Sequence, residues 1–347
     1  MGKTKGFAAQ SASAPLAAWE FDRREIGARD VSVDISYAGI CHSDIHQVRE
    51  EWGPAKFPMV PGHEIMGTVA AVGKDVTEFK VGDPVGVGVY VDSCRKCENC
   101  QSGESHQCLE GMTQTYNDFA RDGKTLNFGG YSKNIVVDAD YVMRVPANLD
   151  PKGVAPLLCA GITVYSPLRH WGAGPGKNVA VMGLGGLGHM AVKFAAAMGA
   201  NVTVLSHSDS KKADALALGA HAFVNTHDEA ALGALTKTQD IIINTVSADV
   251  DIDRFLKLLK LNGTLVIVGL PGKPAPINAG SLLEMRRSLA GSMIGSIKET
   301  QEMLDFCGKH NIVSDVEVID ADYINEAYDR VVNSDVRYRF VIDTATI

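Results

Sequence analysis

From residue 1 to about residue 150, short β-branched runs such as VSVDISYAGI, IMGTVAAVG, PVGVGV and YSKNIVVDADYVMRVP alternate with Gly, Pro and Asp turns. That texture predicts an irregular, largely antiparallel β domain. After Pro151 the pattern becomes strand and helix in alternation. NVAVMG, NVTVLS, AFVNT, DIIINTV and GTLVIVGL read as strands, and LGHMAVKFAAAMGA, SKKADALALGA and DRFLKLLKLN as helices. Repeated βα units predict an α/β fold with a doubly wound parallel sheet. A last strand near SLAGSMIG completes that sheet, after which KETQEMLDFCGKH and INEAYDRVV have helical periodicity and VRYRFVID reads as a strand. There is no repeat of solenoid length and no low-complexity tract.

Composition changes this picture little. The 347 residues exceed what one hydrophobic core usually serves, so two domains are expected. Hydrophobic residues at 46% and charged residues at 21% describe a globular protein, and a formal charge of −8 argues against nucleic-acid or anionic-membrane partners. The most apolar stretch, AVMGLGGLGHMAVKFAAAMGA, is broken by glycines and carries Lys193, which suits a strand, turn and helix better than a bilayer span. The segment MGKTKGFAAQSASAPLAAWEFDRRE has no apolar core of signal-peptide length before its charges. A cytoplasmic location is therefore expected.

Gly183, Gly185 and Gly188 form GxGxxG in the run Gly183, Leu184, Gly185, Gly186, Leu187, Gly188, which follows a predicted strand and opens a predicted helix. In that context a pyrophosphate can sit at the helix N-terminus, although a glycine-rich turn without a ligand would read the same. About 20 residues on, where a carboxylate would grip the ribose hydroxyls of NAD, the chain has Ser206, His207, Ser208 and Lys211. Hydroxyls and an ammonium group attract a 2′-phosphate, so NADP(H) is the expected cofactor. Asp209 is the one residue of that run able to act as a ribose ligand, and Lys212 reads as a solvated charge.

Four of the seven cysteines, Cys94, Cys97, Cys100 and Cys108, are spaced CxxCxxCx7C. Four thiolates so close in sequence can close a tetrahedral Zn²⁺ shell, and the alternatives are two disulfides or thiols that are merely near one another. Of the remaining three, Cys307 lies in an apolar helix and reads as a buried small side chain. Cys41 in GICHSDIH, His63 in PGHEIMG and Cys159 in LLCAGIT offer two thiolates and an imidazole. That is a ligand set for a catalytic zinc with one open position.

GHEIMGTVAAVGKDV (Gly62 to Val76) fits GHExxGxxxxxGxxV, and together with the cysteine lobe and GLGGLG it resembles the zinc-containing medium-chain alcohol dehydrogenases. GICHSDIH, PLLCAGITVYSPLRHW, GSMIGSIKETQEMLDFC and RYRFVID are similar to the cinnamyl alcohol dehydrogenase branch and its bacterial NADP-dependent aldehyde reductases. The resemblance covers nearly the whole chain. It implies a GroES-like catalytic domain over 1–150 with a structural-zinc lobe at 92–110, a Rossmann NADP-binding domain over 151–294, and a return to the first domain over 295–347. The segment TYNDFARDGKTLNFGGYS departs from the plant enzymes, so broad medium-chain or aromatic substrates are expected rather than lignin precursors.

The residues follow from the same resemblance. Cys41, His63 and Cys159 match the catalytic zinc ligands, with Glu64 as an acid able to approach the open position. Asp44 matches the carboxylate that holds the His63 ring, Ser43 the hydroxyl bonded to substrate oxygen, and His46 the solvent end of a proton relay. Cofactor contacts are implied at Ser43, Thr163, Gly183 to Gly188, Ser206 to Lys211, Thr245, Gly269, and Ser292, Met293 and Ile294. Trp52, Met112, Tyr116 and Trp171 are candidate pocket linings, and His42 and His106 read as structural. The implied reaction is reversible hydride transfer between NADP(H) and primary alcohols or aldehydes, with two zincs per chain and a homodimer paired through the strand near SMIG. An NAD-dependent polyol dehydrogenase and a non-enzymatic zinc-ribbon binding protein are the alternatives; Ser206 argues against the first, and acidic charge with a second ligand set against the other.

Overall fold

Asp30–Gly39 buries Val31, Val33, Ile35 and Ala38 and pairs antiparallel with Ile65–Val72 along one edge. Its other edge is shared by Asn134–Asp138 at one end and Arg339–Asp343 at the other. In this computed structural model, which describes residues 2–347, that strand is the middle of a seven-stranded sheet extended by Pro84–Val87, Met143–Arg144 and Val316–Ile319. All its pairings are antiparallel except Val316–Ile319 with Arg339–Asp343. A hairpin of Gly2–Ala8 and Ala17–Arg23 packs nearby, and Phe7, Phe21, Ile40, Ile45, Met59, Tyr131, Tyr328 and Phe340 form one continuous core.

The chain divides into two compact units, Met1–Ile162 with Gly295–Ile347, and Thr163–Ile294. The first division lies beyond the change of texture at Pro151. Val154, Leu157 and Leu158 are buried in the first unit, Leu158 against Gly86 in the sheet, so this short helical stretch belongs to the β core.

The second unit holds six parallel strands, Asn178–Met182, Asn201–Ser206, Ala222–Asn225, Gln239–Asn244, Leu259–Ile267 and Ser288–Gly291. Numbered along the chain, their spatial order is 3-2-1-4-5-6, the dinucleotide-binding arrangement. DRFLKLLKLN is a helix only as far as Leu256, and Leu259 already pairs with Gln239 in the sheet. Leu256, Leu258 and Leu259 are all buried, so their apolarity serves strand and helix alike and parallel pairing decides between them. A short helix at Glu229–Gly233, absent from the sequence reading, separates two strands.

Helix Ile297–His310 shows how local signals fix an element. Ser296 and Glu299 form a reciprocal capping box, Asn311 ends the helix in the left-handed region at φ 53°, and Thr300, Met303, Leu304 and Cys307 line its buried face. Among the described residues no helix is long and apolar enough to cross a membrane.

The glycines of the GHExxGxxxxxGxxV run have steric causes. Gly62 has φ +102° and packs against Tyr131, while a Cβ at Gly67 would overlap the Asp34 carbonyl oxygen and one at Gly73 the carbonyl oxygens of Gly27 and Ala28. Gly67→Ala therefore forces apart two paired strands. Such overpacking costs about 1–3 kcal/mol, and calorimetry should show a thermal midpoint several degrees lower; an unchanged midpoint would mean the sheet spreads without cost.

Candidate active site and metal centres

Cys41 ends the turn after Asp30–Gly39 and caps the helix His42–Val48, His63 precedes Ile65–Val72, and Cys159 ends the turn Ala155–Leu158. All three are buried, as is Glu64, and one ligand atom from each of the four lies within 4.8 Å of the others. Cys41 Sγ and Cys159 Sγ are 3.9 Å apart. A disulfide needs about 2.05 Å, whereas tetrahedral zinc with bonds of about 2.3 Å sets its sulfurs about 3.8 Å apart. Glu64 Oε2 is buried without a hydrogen-bond partner. A dry, oxygen-bearing, two-sulfur and one-nitrogen cluster is unstable as a hydrogen-bonded core and fits Zn²⁺.

Asp44, fully buried, organises this cluster. Its Oδ1 accepts from His63 Nδ1 at 2.9 Å and from the Gly62 amide at 3.2 Å. Oδ2 accepts from the Cys41 amide at 2.9 Å and the Tyr131 hydroxyl at 3.1 Å. With Nδ1 committed to Asp44, the His63 ring presents Nε2 to the metal position. Burial alone would lower the His63 pKa, but the Asp44 charge overrides it and holds the imidazole well above its usual value. The two thiols divide one proton: the contact with Cys159 pulls Cys41 well down, and the Cys41 sulfur pushes Cys159 well up.

Glu64 is bonded through Oε1 to buried Arg339. Burial pushes the Glu64 carboxyl up to about 7 against the opposing pull of Arg339. Gly39 is required beneath it, since a Cβ there would overlap Glu64 Oε2.

Ser43 and His46 lie one helical turn apart on His42–Val48. His46 stacks between His42 and Trp52, each ring centroid 4.7 Å away, and its Nδ1 is bonded to Glu51. Glu51 thereby fixes the tautomer, leaving Nε2 to accept a proton. Of the candidate linings, Trp52 is half exposed on this stack, Tyr116 is a buried core ring 6.0 Å from His63, and Met112 and Trp171 are partly buried.

The second cluster lies in its own lobe. One sulfur atom from each of Cys94, Cys97, Cys100 and Cys108 lies within 4.8 Å of the rest, Cys94 and Cys100 at 3.8 Å, and all seven cysteines are free. Backbone amides point at the sulfurs: Cys97 N to Cys94 Sγ at 3.3 Å, Cys94 N to Cys108 Sγ at 3.4 Å, and Leu109 N to Cys97 Sγ at 3.5 Å. The Leu109 amide, followed by the Cys100 amide, lowers the Cys97 thiol to about 6, while burial raises Cys100 to about 11. Four sulfurs and no open position fit a structural zinc.

In the Thr163–Ile294 unit the cofactor candidates share one edge. Gly183 follows Asn178–Met182, Ser206 ends Asn201–Ser206, Thr245 follows Gln239–Asn244, Gly269 lies beyond Leu259–Ile267, and Ser292 follows Ser288–Gly291. Parallel strands put all five at the carboxyl ends, where such sheets bind ligands. Thr245 Oγ1 donates to Met182 O at 2.7 Å and packs on Gly183, and a Cβ at Gly188 would overlap the Gly183 carbonyl. Lys211 Nζ donates to Leu184 O at 3.1 Å, bringing an ammonium group onto the glycine loop. Asp209 and Lys212 are exposed. His207 and Met293 are exposed, Ser208 and Leu187 lie at the surface, and Thr163 and Ile294 are buried.

Three contributors escaped the sequence reading. Arg339 and Tyr131 reach Glu64 and Asp44 from strands and loops far away in the chain, and Glu51 reaches His46 across a turn. An arginine within the apolar run RYRFVID was the one available signal.

Residues 27–147 match the alcohol dehydrogenase GroES-like domain and residues 186–309 the zinc-binding dehydrogenase domain. The chain is 58% identical over its whole length to the NADP-dependent alcohol dehydrogenase C 1 of Mycolicibacterium smegmatis, covering 99% of that protein. It is 51% identical to the aldehyde reductase YahK of Escherichia coli, with 99% of each chain covered. The cinnamyl alcohol dehydrogenase SbCAD4 of Sorghum bicolor superposes with a TM-score of 0.96 at 47% identity, over 99% of this chain and 98% of that one. With both domain families matched, a relative this similar along its full length, and both cysteine clusters in place, the chain belongs to the zinc-containing alcohol dehydrogenases of the medium-chain type.

Proposed function

We propose that the protein is a zinc-dependent alcohol dehydrogenase and aldehyde reductase that transfers hydride reversibly between NADP(H) and primary alcohols or aldehydes, broadly of medium-chain or aromatic type. The observation that carries this reading is the buried Cys41, His63 and Cys159 set with the unpartnered Glu64 Oε2 beside it. Names of similar proteins supply the substrate class, an NADP-dependent alcohol dehydrogenase and an aldehyde reductase among them.

When bound, zinc supplies a Lewis acid and the dinucleotide a hydride donor or acceptor. Cys41, His63 and Cys159 hold the metal. Asp44 accepts from His63 Nδ1 and so fixes the ring with Nε2 directed at the metal position. Glu64, whose Oε2 is buried beside the set without a hydrogen-bond partner, is the acid able to approach the fourth position. Ser43 Oγ exchanges the substrate proton, and His46 Nε2 passes it to solvent because Glu51 occupies Nδ1. Gly183 to Gly188 leave the backbone open to the pyrophosphate, and Thr163, Thr245, Gly269 and Ser292 to Ile294 contact the remainder of the dinucleotide. Ser206, Ser208 and Lys211 take the 2′-phosphate. Ser206 stands where a carboxylate would grip the ribose hydroxyls of NAD, and exposed Asp209 is the one acid in the run Ser206 to Lys211, which supports NADP(H) over NAD.

The sheet ends at Ser288–Gly291, an edge strand flanked by exposed Leu283 and Met293. An open edge with exposed apolar side chains beside it is a ready pairing surface, and it supports a homodimer joined strand to strand.

The two metal roles separate by mutation. Cys41→Ser should lower zinc content from two to one per chain and kcat/KM by at least about 100-fold, while leaving the thermal midpoint nearly unchanged. Cys97→Ser should lose the other zinc and lower the midpoint by roughly 10 °C, since structural zinc contributes directly to folding. Wild-type turnover in Cys41→Ser would overturn the catalytic assignment.

Cofactor choice gives an independent check. Wild-type kcat/KM with NADPH should exceed that with NADH, and Lys211→Ala should cut the NADPH value about tenfold, as loss of one charge contact does, with little change for NADH. A preference of the wild-type protein for NADH would remove the assigned role of Ser206 and Lys211.

A further inference from the structure

A third group of metal-ligating side chains lies apart from both cysteine clusters. Glu104, His106 and Glu299 each place one ligand atom within 4.8 Å of the other two. His106 is only 8% exposed, and its Nδ1 is buried with no hydrogen-bond partner. Glu104 Oε2 stands 3.6 Å from that nitrogen, beyond hydrogen-bond reach. A buried imidazole nitrogen left unpaired beside a carboxylate costs free energy unless something bridges them.

The arrangement is braced from both sides. His106 lies in the turn Ser105–Gln107, and Glu299 in the first turn of Ile297–His310. The Tyr90 hydroxyl joins these segments, 2.9 Å from Ser105 Oγ and accepting from the Ile297 amide at 3.1 Å. Glu299 is itself fixed by its Oε2, which accepts from the Ser296 amide at 3.0 Å. Two carboxylates and a neutral imidazole carry two negative charges. They balance a divalent cation, and the half-exposed Glu104 side chain leaves water access for its remaining positions.

We infer that Glu104, His106 and Glu299 form a third metal site, for a divalent first-row ion such as Zn²⁺, Mn²⁺ or Co²⁺, with solvent completing the shell. One nitrogen and two carboxylate oxygens without sulfur select such borderline ions over soft ones. The ion would tie the cysteine lobe to the start of the returning segment, so its occupancy sets the rigidity of the lobe and not the hydride chemistry.

Cobalt tests this directly. Titrating Co²⁺ into protein already holding two zincs per chain should bind about one further equivalent, with a Kd of roughly 1–100 μM, weak d–d absorption and no thiolate-to-cobalt charge-transfer band. The thermal midpoint should rise by a few degrees, as for any ligand of the folded state alone. His106→Ala should abolish both effects, and Glu104→Gln, at a half-exposed position that leaves the fold intact, should weaken binding at least about tenfold. Absence of a further equivalent, its persistence in either variant, or uptake seen only with a thiolate charge-transfer band would overturn the site.

Discussion

A single buried carboxylate, Asp44, holds the Cys41, His63 and Cys159 cluster together. Its two oxygens receive four donors that come from the cap of one helix, the turn before one strand, an imidazole and a tyrosine hydroxyl. A fully buried carboxylate is tolerable only when it is saturated in this way. Each donor therefore has little freedom to move, because its departure would leave Asp44 short of a partner in a dry environment. The positions of Cys41 and His63 are consequences of that requirement as much as of the metal proposed for them.

The same logic, with opposite emphasis, applies to Glu64. Arg339 satisfies one of its oxygens and leaves the other open toward the cluster. Asp44 is a carboxylate fixed by donors, whereas Glu64 is one balanced between a cation and an apolar setting. Side by side in one core, the first has both oxygens engaged and the second keeps one oxygen without a partner. The cysteine lobe, with four sulfurs and amides aimed at them, has only the first property.

How much of this was legible in the sequence depends on the range of each interaction. Cys94, Cys97, Cys100 and Cys108 are close enough along the chain for spacing alone to suggest a closed shell, and the glycines of GLGGLG sit beside the strand and helix that give them meaning. Cys41, His63 and Cys159 are readable as chemistry, because few other uses exist for that combination, yet only the fold brings them within 4.8 Å. Arg339, Tyr131 and Glu51 were hidden, since an arginine, a tyrosine and a glutamate have many ordinary roles and their partners are set by sheet register. The misreading of DRFLKLLKLN has the same origin. Leu256, Leu258 and Leu259 are buried whichever element contains them, and only pairing with Gln239–Asn244 decides.

The antiparallel pairing of Arg339–Asp343 with Asp30–Gly39 has a consequence for biosynthesis. The strand that carries Arg339 is made long after Cys41, His63, Glu64 and Cys159. Until it docks, Glu64 has no cation, and burying it alone would be severely unfavourable. Completion of the metal site is coupled to completion of the sheet, so a chain arrested before its last strand should present thiols and imidazole to solvent instead of a closed reaction centre.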